Sequence, residues 1–131
     1  MKELDLTTEK SVIGDNLKKL RRLHQEKKEH LDEVFVFNTV LLYLERTLQA
    51  ITNVIAVKKM EETDSVMNTP EEMFEWMKTK KDIRRKDIED FKEIVRQVEN
   101  SIHDRGNDQR IVKEIIQKDK IQVFDKILES I

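Results

Sequence analysis

The sequence predicts an all-α chain, with three or four long amphipathic helices packed as a bundle or an extended helical hairpin with coiled-coil-like contacts. Three observations carry this. Two glycines and one proline in 131 residues leave few places to reverse the chain, whereas sheet proteins need Gly, Pro and Asn-Gly turns again and again. Charged residues make up 40% of the sequence, and Lys, Glu, Leu and Ile are abundant, a composition that points to helices. Apolar residues recur at helical spacing: Ile13, Leu20, Lys27, Val34, Leu41, Leu48 and Ile55 fall every seven residues, and only Lys27 is polar.

The first helical region spans about residues 8–62, read either as two helices, 8–30 and 32–62, or as one continuous helix roughly 80 Å long at 1.5 Å per residue. Thr7 or Thr8 suits an N-cap. No Gly or Pro lies between Asp15 and Thr69. The candidate break is at His30–Glu33, where EKKEHLDE interrupts the apolar pattern and Asp32 can cap a second helix. The companion seam Leu17, His24, Leu31, Asn38, Glu45 and Thr52 is mixed. The stretch Val34–Val57 differs in kind: 16 of its 24 residues are apolar and only Glu45 and Arg46 are charged. A helix that apolar is contacted from at least two sides, which makes it the expected centre of the fold. Its Glu, Arg, Thr and Asn residues set it short of a transmembrane span. Its opening VFVF run has strand character, but no partner strand is visible.

Residues 63–69 read as a loop. Thr69-Pro70-Glu71-Glu72 is the clearest local signal: a Thr N-cap, Pro at the first helical position and Glu at the third form a capping box. The helix is expected over 70–104, with a seam through Met77, Ile88, Phe91, Val95, Val98 and Ile102, and with Phe74, Trp76 and Ile83 off that line. Arg105-Gly106-Asn107 reads as a stop and restart, with Asn107 or Asp108 capping a last helix over 108–131. That helix carries Ile111, Val112, Ile115 and Ile116, then Ile121, Phe124, Leu128 and Ile131. QKDK at 117–120 shifts the phase between the two groups and suggests a kink or a short interruption.

The residues exclude more functions than they indicate. With no cysteine, thiolate chemistry and Cys-zinc sites are ruled out. The residues three before His24, His30 and His103 are Arg21, Lys27 and Asn100, so the Glu-x-x-His pattern of carboxylate-bridged metal bundles is missing. Two isolated glycines cannot form a phosphate loop, and no serine has nucleophile-elbow context. No catalytic residue, metal ligand, cofactor or small-molecule substrate is therefore expected. The 25 basic and 27 acidic residues nearly balance and give no global pull toward nucleic acid or membrane. The start, MKELDLTTEK, has no signal-peptide core, and a cytoplasmic location is expected.

Two surfaces remain. Met73, Phe74, Trp76 and Met77 cluster just inside a helix start. They read either as core or as a partner anchor, since Trp, Phe and Met favour interface centres. KTKKDIRRK places Lys78, Lys80, Lys81, Arg84, Arg85 and Lys86 within nine residues. On one helix Lys78, Lys81 and Arg85 share a face, read either as a solvated stripe or as a phosphate-binding one. Lys18, Lys19, Arg21 and Arg22 form a smaller basic group. IGDNLKKLRRLH at 13–24 resembles the first helix of phage-repressor-type helix-turn-helix domains. Those continue with a Gly turn and a Gln-rich helix, whereas EKKEHLDEVFVF follows here, so the resemblance stops at that one helix. The leading expectation is a non-enzymatic protein-protein interaction module: an adaptor, a regulator or a subunit of a larger assembly, with a protein partner or self-association. The alternative is nucleic-acid binding through residues 78–86.

Overall fold

A computed structural model describes residues 6–27, 34–103, 113–116 and 118–131, and these are helices joined by short turns. In chain order they are α1 (Leu6–Lys27), α2 (Val34–Thr63), α3 (Pro70–Lys78), α4 (Arg85–His103), a helical stretch at 113–116 (α5) and α6 (Gln122–Ser130). The break at His30–Glu33 with its Asp32 cap, the stop at Arg105–Asn107, the Asp108 cap and the residues Ile111 and Val112 lie outside the described residues.

The all-α expectation holds, but six helical segments among the described residues replace the expected three or four. Thr7 and Thr8 fall inside α1 rather than ahead of it, and VFVF is the first turn of α2, not a strand. The α1 and α2 helices are separate and pack side by side. With so few residues between them they run antiparallel, and Lys19 of α1 lies over the Tyr43 ring of α2, 5.4 Å from its centroid. Of the seven-residue seam, Ile13, Leu20, Leu41, Leu48 and Ile55 are all buried, as is Leu17 of the companion seam.

The expected helix over 70–104 is two helices. Its start is as the sequence indicates. The Thr69 Oγ1 accepts the Glu72 N–H at 3.2 Å. The Glu72 carboxylate accepts the Asn68 N–H at 2.7 Å, one residue earlier than a capping box usually reaches back. At the end of α3 the chain tightens. The Thr79 hydroxyl donates to the Trp76 carbonyl at 2.6 Å, and the backbone N–H groups of Thr79 and Lys80 donate three residues back, to Trp76 and Met77. Such contacts close the last turn of a helix. The 79–84 break turns Ile83 inward to a buried position, which a continuous helix would leave off the seam.

The last helical region is interrupted at the QKDK phase shift, as the sequence suggests. Residues 118–121 form a turn in which Asp119 has a φ of 48°. The Lys120 N–H donates to Ile115 and the Asp119 N–H to Ile116, the paired bonds of a Schellman stop. Asp64, with a φ of 58° and its N–H on the Met60 carbonyl, ends α2 in the simpler single-bond form.

Buried apolar side chains from α1 through α6 form one contiguous cluster. Phe91 lies at a junction within it, edge-on to Phe74 of α3 at 6.1 Å and to Phe124 of α6 at 5.8 Å. Arg21 ties the ends of the chain together: its guanidinium donates to Asp119 at 3.2 Å and to Asp125 at 3.0 Å. Within Phe37–Thr63 of α2, a window is long and apolar enough to cross a membrane by length and composition, contrary to the sequence expectation, and half of that window is buried inside the chain.

Candidate interaction surfaces

Met73, Phe74, Trp76 and Met77 all point into the core, none more than 6% exposed. The short α3 helix, fixed at its start by Thr69 and Pro70, presses this face inward. Phe74 meets Phe91, Lys92 covers the Phe74 ring at 5.7 Å, and Lys80 covers the Trp76 ring at 4.8 Å. This placement is what the core alternative for the group expects.

The basic segment is not one helical stripe. Lys78 ends α3, Arg85 starts α4, and the break between them separates the face that Lys78, Lys81 and Arg85 would have shared. Half of its cations already have partners. Lys78 pairs with Glu75 at 3.3 Å, and Lys80 pairs with Glu62 at the end of α2. Arg84 pairs with Asp87 at 3.2 Å. Asp87 is a buried carboxylate in the first turn of α4, where the helix dipole favours negative charge. Lys81, Arg85 and Lys86 are exposed, with no ion-pair partner among the described residues.

Two of these cations reach a groove that the sequence did not announce. Between α4 and α6, Arg84 and Lys86 share one open cleft with Lys118, Lys120 and Lys126. Asp87, Asp90 and Glu93 line it too, so the cleft is mixed in sign. Lys118 and Lys120 both bond the Glu114 carboxylate, and these hydrogen bonds hold its pKa below the ordinary carboxylate range. Glu93 is likewise held low, first by its hydrogen bond to Arg96. In the other basic group, Arg21 is engaged with α6 and Lys19 with Tyr43, while Lys18 and Arg22 are exposed. His24 is half-buried, and its Nδ1 has no hydrogen-bond partner among the described residues.

The outward face of α2 is the third surface. Leu42 is 42% exposed. One to three turns further on, Glu45, Arg46, Gln49 and Thr52 form one wall of a shallow groove, and Val95, Val98 and Glu99 of α4 form the other. Glu45 and Arg46 are the only charges between Asn38 and Val57, and neither has an ion-pair partner among the described residues. The outward faces of the neighbouring helices look different: α4 shows Glu89, Asp90, Lys92, Glu93, Arg96 and Glu99.

No family model, curated protein or solved structure matches this chain. Its function has to be argued from these surfaces. The charge-poor face of α2 was visible in the sequence as a 24-residue window with two charges, although periodicity alone could not say which arc of the helix stays uncovered. The union of Arg84 and Lys86 with Lys118, Lys120 and Lys126 left no sequence signal, because it depends on how α6 lies on α4.

Proposed function

We propose that this chain is a non-enzymatic protein-interaction module, working through helix faces as an adaptor, a regulator or a subunit of a larger assembly. In this reading the helices form a small bundle, and the α1–α2 pair packs in the manner of a coiled coil. One observation supports it above the others: the most apolar helix of the chain is covered by its own neighbours over only half of its apolar window, and the uncovered face is poor in charge. Depletion of charge distinguishes the centre of a protein interface from ordinary surface. Burial of a large side chain such as Leu42 on association stabilises by about 1.5–3 kcal/mol when complete.

Site-specific photo-crosslinking in the native host tests this reading. A crosslinker replacing Leu42 should yield an adduct of one defined mass, and one replacing Lys86 should not. Equal labelling from both positions, or none from position 42, would count against it.

A second reading, nucleic-acid binding, is supported by the cleft where Arg84 and Lys86 meet Lys118, Lys120 and Lys126. Phosphate neutralisation by several cations makes binding fall steeply with salt. A gel shift that weakens with salt and is abolished by Lys86→Glu with Lys126→Glu would favour this reading. No shift at low salt would end it.

A further inference from the structure

We propose that the outward strip of α2 docks a second copy of this chain, antiparallel, about a two-fold axis that passes between Glu45 and Arg46; this inference rests on the interaction-module reading. The strip consists of Asn38, Leu42, Glu45, Arg46, Gln49 and Asn53, all exposed or half-exposed. At 100° per residue these six fall within an arc about 100° wide. Their spacings are four, three, one, three and four residues, and the series reads the same in both directions. Two such helices laid antiparallel therefore bring matching positions opposite each other. Glu45 of each copy faces Arg46 of the other, Leu42 faces Gln49, and Asn38 faces Asn53. This is the self-complementarity an isologous interface requires, in which a contact made once is made twice.

Charge selects the occupant. Glu45 and Arg46 have no ion-pair partner among the described residues, and they sit mid-strip. A lipid surface would have to take up both charges together with Asn38, Gln49 and Asn53, at considerable cost for charges at membrane depth. A second copy offers each charge its opposite, and it offers the amides hydrogen-bonding groups like their own. The Gln49 amide already donates to Asn53 at 3.1 Å, which holds one end of the strip in place. Val95 of α4, half-buried across the neighbouring groove, adds a little apolar area beside the polar line.

Sedimentation equilibrium on the full chain tests the arrangement through a charge swap. The wild type is expected to dimerise. Glu45→Arg alone places Arg against Arg twice, and Arg46→Glu alone places Glu against Glu twice, so each should weaken dimerisation by about tenfold or more. An equimolar mixture of the two variants restores both opposite pairs and should form a heterodimer of wild-type affinity. Circular dichroism checks that each variant keeps its helices.

Because the chain has no cysteine, a second readout is available that leaves the charges intact. Leu42→Cys mixed with Gln49→Cys should form a disulfide between copies faster than Leu42→Cys alone. A monomeric wild type, single variants that dimerise normally, or a mixture that stays monomeric each overturn the proposal. A dimer indifferent to these substitutions, or a monomer that still crosslinks to another protein from position 42, overturns the strip arrangement and leaves the interaction reading standing.

Discussion

Asn16 is 6% exposed, and its side-chain Nδ2 has no hydrogen-bond partner among the described residues. It lies on the inward side of α1, between Ile13 and Leu20 of the seam. An unsatisfied buried amide costs about 1–3 kcal/mol. Asn16→Leu, which keeps the same branched heavy-atom skeleton, should therefore raise the thermal midpoint by an amount equivalent to about 1–2 kcal/mol, measured by circular dichroism; an unchanged or lowered midpoint would show that the amide has a partner, that it fixes the helix register, or that the bulkier methyl groups overpack the site. At this scale the sequence was legible wherever periodicity decides burial. Ile13, Leu20, Leu41, Leu48 and Ile55 are all core. It was less legible where a second helix uses a neighbouring line of side chains. Ile94, Val123 and Ile127 are buried yet lie off the expected seams, because α4 is contacted by α6 as well as by α2 and α3. Trp76 and the methionines beside it were undecidable from composition, since a core and an interface centre prefer the same residue types.

Helix ends show where local sequence informs and where it does not. The α3 start was explicit in Thr69-Pro70-Glu71-Glu72. The α2 end falls within a residue of the expected loop at 63–69, and the turn after α5 falls at the QKDK phase shift. The residues that make these stops were not explicit, because Asp64 and Asp119 hold the left-handed turn conformation that Gly usually supplies. Gly14, by contrast, sits inside α1, and a Cβ added there meets nothing within 4 Å. Gly14→Ala should therefore stabilise the chain by about 0.5–1 kcal/mol, read from the denaturant midpoint, and a lower midpoint would argue against a helical Gly14. Arg21 bridges two carboxylates of the α5–α6 region from a side chain that is partly exposed. Arg21→Lys keeps the charge but not the fork that spans both acceptors. It should speed amide exchange across α6 while costing no more than about 1 kcal/mol globally; exchange at the wild-type rate would mean that the two contacts do not hold α6. The Glu114 bonds to Lys118 and Lys120 add a pH dependence. A carboxylate held below its ordinary value of 4.5 favours the folded turn above that value, and the contribution is lost as pH falls through the lower, folded-state value. Acid should thus raise exchange near residues 118–121 in the wild type, and Glu114→Gln should flatten that acid limb.

For the whole molecule, the all-α class followed from scarce breakers and helical periodicity, while the number of helices did not. The breaks at 79–84 and 118–121 rest on side-chain and backbone contacts, such as the Thr79 hydroxyl on Trp76, that composition cannot report. The phase slip around Ile83 and at QKDK was their trace in the sequence. The packing of Phe91 against both Phe74 and Phe124 joins three helices in a single stack. Phe91→Ala should cost about 3–5 kcal/mol and lower the stability of α3, α4 and α6 together. Hydrogen exchange resolved by helix checks this; loss confined to α4 would show that the helices open independently.

The Lys80 ammonium over the Trp76 ring, with its second anchor on Glu62, has a practical consequence. Trp76 is the sole tryptophan, so its fluorescence comes from one place only, the junction where the end of α2, the α3 helix and the following turn meet. Any ligand, partner or substitution that pulls this junction apart should be visible as a red shift of emission, with no label added.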